Sequence, residues 1–308
     1  MKYDIAVIII NFNTSGYTID CIKSILDKTS PGLSMQIIIV DNASQKSDYL
    51  RIKEFLSTID NEHITLFRSR INTGFGGGNM TGVQFSNARY YAFVNNDTLF
   101  EEDCLEHCFN FMELQEDAGV CGPKIIIEHK YQSKSFDHFL SLGKIILGSG
   151  GMEFLMPGRK PRRMKDYAAP LKVDYVNGSF MFFRANDFDN TGGFDTNLFL
   201  FFEESDICTR LKRKGRNTYY LPNVSYHHFE GKSQQNNIRK KIELKTAMLY
   251  VLRKHDGYIA YQIARIYMLL RYGLTILIKP KYFPLFLALL KGMPISDSMK
   301  FKQVILQD

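Results

Sequence analysis

The chain has 308 residues, of which 45% are hydrophobic and 23% are charged, and this is the composition of a folded protein with a sizeable core. Its five cysteines form no C-x-x-C pair, so we expect reduced thiols in a cytosolic protein and not a disulfide framework. The net charge of +7 is uneven: residues 232–308 hold fourteen Lys and Arg against four Asp and Glu, and residues 1–231 carry a net charge of −3. Nucleic acid and anionic lipid are the two partner classes that such a basic tail fits.

The first part of the chain is predicted to alternate strands and helices. The opening apolar run has only six residues, which is too short for a signal-peptide core or a membrane span and fits a buried strand. Continuous apolar stretches typical of buried parallel strands predict strands at 5–12, 36–41, 64–67, 90–94 and 120–127. Helices are predicted between strands at 17–29 and 79–88, and after the fourth strand at 101–114. The pattern predicts an α/β fold with a mainly parallel sheet.

The second part of the chain has a less regular pattern. Residues 128–170 are Gly-rich and then basic, and we interpret them as a long loop. A strand-rich piece at 171–184, a helix at 204–214 and a strand ending at the adjacent histidines 227 and 228 follow. We therefore expect a catalytic domain over 1–235, with halves 1–127 and 128–235, and a basic, apolar helical tail over 236–308.

Polar residues stand at the carboxyl ends of three predicted strands. The first strand ends at Asn11 and Asn13, the second at Asp41 and Asn42, and the fourth at residues 95–97. Ligands of open α/β sheets bind at such strand ends, whereas a single polar cluster would only indicate a turn. Three clusters at one edge of the sheet favour a ligand site.

A Gly-rich loop at 68–82 follows the third strand and leads into a helix. It contains Asn72 and Asn79, and its glycines allow the backbone to approach a ligand closely. Asn79 stands where a dinucleotide fingerprint would have its third glycine, and the sequence contains no P-loop. Binding of a diphosphate through a metal ion remains an alternative, because Asp97 is a hard oxygen ligand that suits Mg²⁺.

Two further motifs carry ionisable residues. Glu203 and Glu204 follow five apolar residues, where burial and mutual repulsion would raise a carboxyl pKa toward that of a general base. The alternative is that they only favour a helix N-terminus through its dipole. Two adjacent histidines, His227 and His228, would be metal ligands only if one of them met Asp97 across the site.

Six blocks of this sequence together resemble a known family. They follow one another between residues 5 and 233: VIIINFN, IIIVDNAS, NTGFGGGNMTG, FVNNDTLFEED, GGFDTNLFLFFEESDICTRLKRKG and PNVSYHHFEGKS. In this order they resemble family 2 glycosyltransferases, the inverting enzymes with a GT-A-type nucleotide-sugar fold, and especially the rhamnosyltransferase-like bacterial branch. The resemblance implies a sugar transferase that acts in cell-surface polysaccharide synthesis and uses Mg²⁺ or Mn²⁺.

The resemblance also implies roles for individual residues. Phe12 would lie against the pyrimidine ring, and Asp41 would bond the nucleoside. Asp97 and His228 would hold the metal, with His228 chosen over His227 by the spacing to Gly231 and Ser233. Further donor-binding residues implied by the matching blocks are Asn13, Asn72, Asn79, Asn95 and Asn96.

The catalytic base is implied at the second of the two glutamates. Glu204 falls at the position of the base, but it is one methylene longer than the commoner aspartate, which leaves Glu203 as the alternative. The donor stays open between dTDP-rhamnose and a UDP-hexose, and the acceptor is a saccharide or a lipid-linked saccharide, not nucleic acid. The alternatives in function are a sugar nucleotidyltransferase and a non-catalytic nucleotide-sugar-binding subunit.

The tail is apolar over residues 257–290 but is interrupted by Arg265, Arg271, Lys279 and Lys281. No 18-residue window there is free of charge, so helices lying in an anionic membrane interface fit better than a spanning helix. The alternative is a helical subdomain packed on the catalytic body or on a second copy of the chain. The expected location is the cytoplasm, at the inner face of the cell membrane.

Overall fold

The computed structural model describes residues 1–59, 61–127, 131–132, 134–229 and 237–307. The strands are β1 (Tyr3–Asn11), β2 (Met35–Asn42), β3 (Ile64–Ser69), β4 (Ala88–Asn95), β5 (Thr98–Phe100), β6 (Ala118–Ile127), β7 (Tyr131–Gln132), β8 (Phe136–Asp137), β9 (Leu171–Val173), β10 (Tyr175–Val176), β11 (Phe180–Arg184) and β12 (Asn217–His228). The helices are α1 (Ser15–Lys28), α2 (Lys46–Ser57), α3 (Gly74–Val83), α4 (Cys104–Leu114), α5 (Leu142–Leu155), α6 (Ala185–Thr191), α7 (Glu203–Arg213), α8 (Ile238–Ile278) and α9 (Phe283–Leu290). Short 3₁₀ helices lie at Pro280–Tyr282, Ile295–Asp297 and Met299–Lys302.

The main sheet has the strand order β3-β2-β1-β4-β11-β6-β12-β5. Its first four strands are parallel, and so are β6 and β12, which confirms the predicted α/β fold with a mostly parallel sheet. Strand β11 lies antiparallel between β4 and β6. In this register Asn11 is the partner of Asp41, and Ile10 is the partner of Asn95, so the polar strand ends meet at one edge.

Residues 128–170 were predicted to be a long loop, and over Leu142–Leu155 this is wrong. Helix α5 occupies Leu142–Leu155, and it begins where the Ser141 hydroxyl accepts a hydrogen bond from the backbone N–H of Lys144. The helix breaks at Gly148, whose φ is 70°. Its glycines weaken the sequence signal for a helix, but Leu142 and Ile145 pack against the C-terminal helices and stabilise it there.

The apolar residues form three clusters. Two of them cover the two faces of the main sheet, as expected for buried parallel strands. The third joins the first half of α8 to the body, where Leu140 and Leu198 pack with Leu249, Val251 and Leu252. Helix α8 is interrupted at Gly257, whose φ is 87°, and its second half packs against α9.

A buried carboxylate fixes the first half of α8 to α7. Asp206 is fully buried, and its oxygens accept hydrogen bonds from Arg210 (2.7 Å to Nη2) and His255 (2.8 Å to Nε2) and pair with Lys254 (2.7 Å to Nζ). Burial alone would raise the pKa of Asp206, but the bond from His255 and the charges of Arg210 and Lys254 outweigh it and lower the pKa to about 2.

We expect Asp206→Asn to lower the free energy of unfolding at pH 7 by about 3 kcal/mol, because Arg210, Lys254 and His255 lose the buried carboxylate that they contact. A carboxylate whose pKa is depressed in the folded state stabilises it above the pKa of the unfolded chain, about 3.9, and this contribution is lost as the pH falls toward 2. Urea unfolding should therefore show a difference from wild type that shrinks between pH 5 and pH 3 (roughly the range of that titration). Asp27→Asn is the matched control, since Asp27 is exposed and pairs with Lys28 at the surface. An equal loss for both variants would contradict this role of Asp206.

Candidate active site

The ends of β1 and β2 are joined by a buried polar network. The Asn11 amide donates to Asp41 Oδ1 (2.9 Å), Ser44 Oγ (3.0 Å) and Asp48 Oδ2 (2.8 Å), and it accepts from the Thr18 hydroxyl. Asp41 is fully buried within this network. The network fixes the backbone at the edge where the predicted nucleoside site begins, and the role predicted for Asp41 toward the nucleoside stays a prediction.

Phe12 and Asn13 follow directly after this network. The Phe12 side chain is 47% exposed, which is unusual for a large aromatic residue next to a buried strand and leaves a ring face free for stacking. Asn13 has a φ of 56°, and its Oδ1 accepts a hydrogen bond from the backbone N–H of Gln45 (2.8 Å). The Asn13 side chain therefore shapes the turn beside Phe12.

The Gly-rich loop and α3 pack tightly against the sheet. A Cβ at Gly78 would lie 2.9 Å from Ile10 Cδ1, and one at Gly82 would lie 2.5 Å from Ile8 Cγ2. These two glycines thus allow α3 to approach β1, which differs from the role toward a ligand that the sequence suggested. Asn72 Oδ1 accepts from the Asn42 amide (3.0 Å), whereas the Asn79 amide nitrogen is buried with no hydrogen-bond partner in the described part of the chain.

The end of β4 presents the residues Asn95, Asn96 and Asp97. The Asn95 backbone N–H donates to the Ser179 carbonyl (2.9 Å), and the Asn96 amide donates to the hydroxyls of Thr14 (2.7 Å) and Thr18 (2.8 Å). These bonds tie the end of β4 to the start of α1 and to the loop before β11. Asp97 is thereby held at the edge of the sheet with its side chain 23% exposed.

Asp97 meets His228, as the metal hypothesis requires. Asp97 Oδ1 lies 3.1 Å from His228 Nε2, while His227 points the other way and lies 3.0 Å from Glu101. Alternation along β12 places the two adjacent histidines on opposite faces, so only His228 reaches Asp97. The residues Gly231 and Ser233, which supported the choice of His228 by spacing, lie outside the described residues.

These two side chains suit a divalent metal that is bound together with a substrate. Mg²⁺ is usually held by one or two protein groups plus substrate phosphates, and Asp97 with His228 supplies such a pair. His228 Nδ1 is buried and has no hydrogen-bond partner among the described residues. A hydrogen bond at that nitrogen would determine which ring nitrogen carries the proton and which one can face a metal, and the described residues supply none. Over those residues, no cluster of three or more His, Cys, Asp or Glu side chains forms a metal cage by itself.

Glu203 and Glu204 begin α7 after a strained turn. Phe201 (φ 77°) and Phe202 (φ 69°) both adopt left-handed backbone conformations, which cost about 1–2 kcal/mol each for residues other than glycine. Such strain is often found at functional sites, where it positions a side chain. Here it sets the direction in which the two carboxylates leave the start of the helix.

The two glutamates differ in exposure. Glu203 is 2% exposed, and burial together with the neighbouring charge of Glu204 raises the pKa of its carboxyl well above the usual value. Glu204 is partly exposed. Burial also raises the pKa of Glu204, and the charge of Lys144 opposes this increase. Because Glu203 is buried and Glu204 is partly exposed, Glu204 is the carboxylate that a substrate can reach, and its role as the base stays a prediction.

The loop before β11 brings Glu204 close to the end of β4. A Cβ at Gly178 would lie 3.7 Å from the carboxyl carbon of Glu204, and the next residue, Ser179, accepts the hydrogen bond from Asn95. Two residues of one loop therefore lie close to the Glu204 carboxylate and to the end of β4, which precedes Asp97 by two residues. Gly178 was not predicted as part of the site, and the available signal was that a glycine within a strand-rich segment often marks a close approach.

Three polar residues that bond to Asn11 or Asn96 were not predicted from the sequence. Asp48, Thr14 and Thr18 lie in or next to helices α1 and α2, and α2 itself was not predicted. Burial alone would raise the pKa of Asp48, but hydrogen bonds from Asn11 and Ser15 outweigh it and lower this pKa. Polar residues in the first turns of helices that follow strand ends were the available signal.

The fold and this edge of polar strand ends define a GT-A-type protein. The chain is similar in structure to GalNAc-T7, which was solved with UDP, GalNAc and Mn²⁺. The TM-score is 0.59 at 13% sequence identity, and the match covers 79% of this chain and 48% of that one. It matches the mannosyltransferase PcManGT from Pyrobaculum calidifontis, in complex with GDP-Man and Mn²⁺, with a TM-score of 0.58 at 12% identity, over 96% of this chain and 87% of that one.

Sequence comparison identifies the family. Residues 6–191 match the family described as Glycosyl transferase family 2, and the chain belongs to this family. It is 26% identical over 192 residues to the rhamnosyltransferase WbbL of Escherichia coli (strain K12), which covers 59% of this chain and 71% of that protein. The predicted family is thus confirmed, and another relative, Agl10 of Haloferax volcanii, is named as a hexosyltransferase of low-salt glycan biosynthesis.

Proposed function

We propose that the protein is an inverting glycosyltransferase that moves a sugar from a nucleoside-diphosphate donor to a hydroxyl of a saccharide acceptor. The observation that carries this proposal is that one short loop lies near both groups: Gly178 is close to the Glu204 carboxylate, and Ser179 bonds to Asn95, two residues before Asp97. A base and a pair of metal ligands beside one short loop suit attack on a sugar carbon whose leaving group is a diphosphate.

In this proposal each site residue has a separate role. Glu204 accepts the proton of the acceptor hydroxyl as its oxygen bonds to the anomeric carbon, and the bond from that carbon to the diphosphate oxygen breaks on the opposite side. Phe12 stacks on the nucleobase, and Asn95 and Asn96 position the end of β4 below the diphosphate. Asn13 and Asn72 approach the same edge from the neighbouring loops, and Asn79 does so from helix α3.

Asp97 and His228 would hold Mg²⁺ or Mn²⁺ in this proposal. Such an ion, when bound, neutralises charge on the departing nucleoside diphosphate. The donor is dTDP-rhamnose or a UDP-hexose, and the product belongs to a cell-surface polysaccharide such as an O-antigen or a capsule. The similarity to WbbL, whose name states rhamnosyl transfer, supports rhamnose, and the structure complexes named above support UDP-linked or GDP-linked sugars at this fold.

The experiment for this proposal is a panel of nucleotide sugars incubated with purified protein, Mn²⁺ or Mg²⁺ and a set of saccharide acceptors whose hydroxyl groups can take up the sugar. We expect release of nucleoside diphosphate from one donor, and chelation of the metal should abolish the release. A sugar nucleotidyltransferase would instead release pyrophosphate from a nucleoside triphosphate and a sugar phosphate. A non-catalytic subunit would bind a donor and release nothing, and either of these two results would overturn the proposal.

We also propose that the second half of α8 docks on an anionic membrane. Exposed apolar residues recur there at helical spacing and form one face: Ile259, Ile263, Ile266, Leu270, Leu274 and Leu277. Exposed Lys279, Lys281 and Lys291 lie at the ends of the adjoining helices and complement anionic headgroups. Within the described ranges, no helix is both long and apolar enough to cross a membrane, so the proposed contact lies along the surface. It would place the protein at the inner face of the cell membrane.

We expect a variant with Leu270, Leu274 and Leu277 all replaced by Gln to lose most of its sedimentation with phosphatidylglycerol vesicles. Each buried leucine contributes up to about 1.5–3 kcal/mol to such binding, so the triple change should weaken it more than about tenfold. Leu114→Gln is the control, because Leu114 is 86% exposed on α4. Substitution is preferable to truncation, since the first half of α8 contributes to the core. Unchanged vesicle binding, or a wild-type dimer that the triple variant abolishes, would show that the face binds something else, in the latter case a second copy.

A further inference from the structure

A second pocket lies beside Glu204, between α5 and the C-terminal helices. It encloses about 350 Å³, and Tyr175 and Phe202 form part of its wall. Phe202 directly precedes the two glutamates, and the charge of Glu204 contributes to raising the pKa of the Tyr175 hydroxyl, after the larger effect of burial. The pocket therefore adjoins the proposed base, on the side formed by α5 and α8.

Positive charge exceeds negative charge in this pocket. Its lining contains three cations, Lys144, Lys245 and Arg271, and one carboxylate, Asp137. Lys144 Nζ pairs with Asp137 at 2.9 Å. In the part of the chain that the structure describes, neither Lys245 nor Arg271 forms an ion pair, and the Lys245 ammonium makes only a 3.9 Å contact with the Met248 sulfur. Two positive charges are thus left without a counter-charge.

Lys245 is the more informative of the two cations, because it is partly buried, whereas Arg271 is exposed at the mouth of the pocket. Burial lowers the pKa of Lys245, and the positive charges of Arg271 and Lys241 lower it further. Burying a charge without a partner costs free energy. A folded protein that places two cations around one cavity in this way is suited to an anion that neutralises both.

The chemistry of the anion follows from the charges and donors. Two unmatched positive charges correspond to the charge of a phosphate or a diphosphate, and an arginine with a lysine is a common pair for phosphate oxygens. The Tyr267 and Tyr272 side chains also line the pocket and carry hydroxyl groups. A neutral sugar acceptor would give these cations nothing to pair with.

We propose that this pocket binds the phosphate or diphosphate group of a phosphate-linked acceptor whose sugar hydroxyl reaches Glu204. The proposal rests on the glycosyl transfer proposed above and names the class of acceptor. Arg271 at the pocket mouth is next in sequence to Leu270 of the exposed apolar face, so the lipid of a lipid-phosphate acceptor could leave the pocket along that face. Lys245 and Arg271 are then positioning residues for the acceptor, and Glu204 remains the catalytic residue.

The first test measures binding of inorganic pyrophosphate by calorimetry, in the presence of a chelator so that no metal can hold it at Asp97. We expect binding to wild type and a loss of more than about tenfold in the double variant Lys245→Met, Arg271→Gln, because charged hydrogen bonds to both cations disappear. Lys53→Gln is the matched control, since Lys53 is exposed on α2 and does not line the pocket. No binding to wild type, or equal binding to the double variant, would overturn the proposal.

Thermal unfolding provides a readout that a purely structural role would not produce. The double variant removes unpaired like charges, so it should melt no lower than wild type, and pyrophosphate should raise the melting temperature of wild type only. A bare loss of stability in the double variant with no effect of pyrophosphate on wild type would show that the two cations serve the fold.

Two further experiments are needed. One distinguishes a lipid headgroup from the phosphate of an acceptor, and the other distinguishes failure of the pocket proposal from failure of the glycosyltransferase proposal. Vesicles of phosphatidylglycerol should bind the double variant as they bind wild type, and displacement of the vesicles by pyrophosphate would show that a headgroup fills the pocket and would overturn the acceptor assignment. UDP and dTDP with Mn²⁺ should bind the double variant as they bind wild type. If neither nucleotide binds wild type but pyrophosphate does, the glycosyltransferase proposal fails while the pocket stands as an anion site. If a nucleotide binds and pyrophosphate does not, only the pocket proposal fails.

Discussion

Replacing Glu204 by Gln should lower turnover by about 10²–10⁴-fold, the usual contribution of a positioned base, while donor affinity changes little. The amide keeps the shape of the side chain and removes its ability to accept the proton of the acceptor hydroxyl. Release of nucleoside diphosphate measures turnover, and calorimetry with the nucleotide measures affinity. An equal fall in both would indicate a role in donor binding.

Glu203→Gln is the matched control for this prediction. The Glu203 side chain is only 2% exposed, so a substrate does not reach its carboxyl, and the amide keeps the shape of the side chain. Turnover should therefore stay close to that of wild type. If Glu203→Gln removes turnover and Glu204→Gln does not, the base is Glu203 and the assignment to Glu204 is wrong.

The pH dependence of turnover should follow the same carboxylate. Burial raises the pKa of Glu204, and a base acts only in its deprotonated form, so turnover should rise with pH through a pKa above the usual glutamate value. Removing the opposing charge of Lys144 with Lys144→Met should move this limb to higher pH. A limb that stays in place would argue that another group limits turnover.

Asp97→Ala should abolish metal-dependent transfer, with a loss of more than about 10²-fold, because it removes the only carboxylate of the proposed metal-binding pair. The variant should also lose the increase in nucleotide affinity that Mn²⁺ gives to wild type, which calorimetry with and without the metal measures. These two losses together distinguish a metal ligand from a residue that only packs.

Glu101→Ala is the control for this prediction, since Glu101 lies 3.0 Å from His227, the neighbour of His228 on the opposite face of the same strand. It repeats the loss of a carboxylate beside a histidine without touching the proposed site, and it should keep wild-type activity. Normal metal-dependent turnover in Asp97→Ala would refute the metal assignment.

The edge of the sheet that carries the candidate site could be predicted from the sequence, because buried parallel strands appear as continuous apolar runs. The apolar runs that become β1, β2 and β4 end at Asn11, Asp41 and Asn95, and parallel strands bring such ends together. The choice of His228 over His227 also agrees with the alternation of side chains along β12. In these regions local patterns and tertiary structure agree.

The remaining features depend on contacts between distant segments. Helix α5 is rich in glycine and is stabilised by packing against α8, which no local pattern shows. The antiparallel direction of β11 places Gly178 beside Glu204, and strand direction is not encoded in apolar spacing. The unpaired state of Lys245 depends on which carboxylates lie nearby in space, so it emerges only from the fold.

The most direct test of inverting transfer is a proton NMR spectrum of the sugar unit in the first product formed with wild type, the active nucleotide sugar and Mn²⁺, recorded before anomers interconvert. A base on the side opposite the diphosphate predicts the anomer opposite to that of the donor, and Glu204→Gln should give none within the same time. An initial product with the anomeric configuration of the donor would contradict direct attack assisted by Glu204.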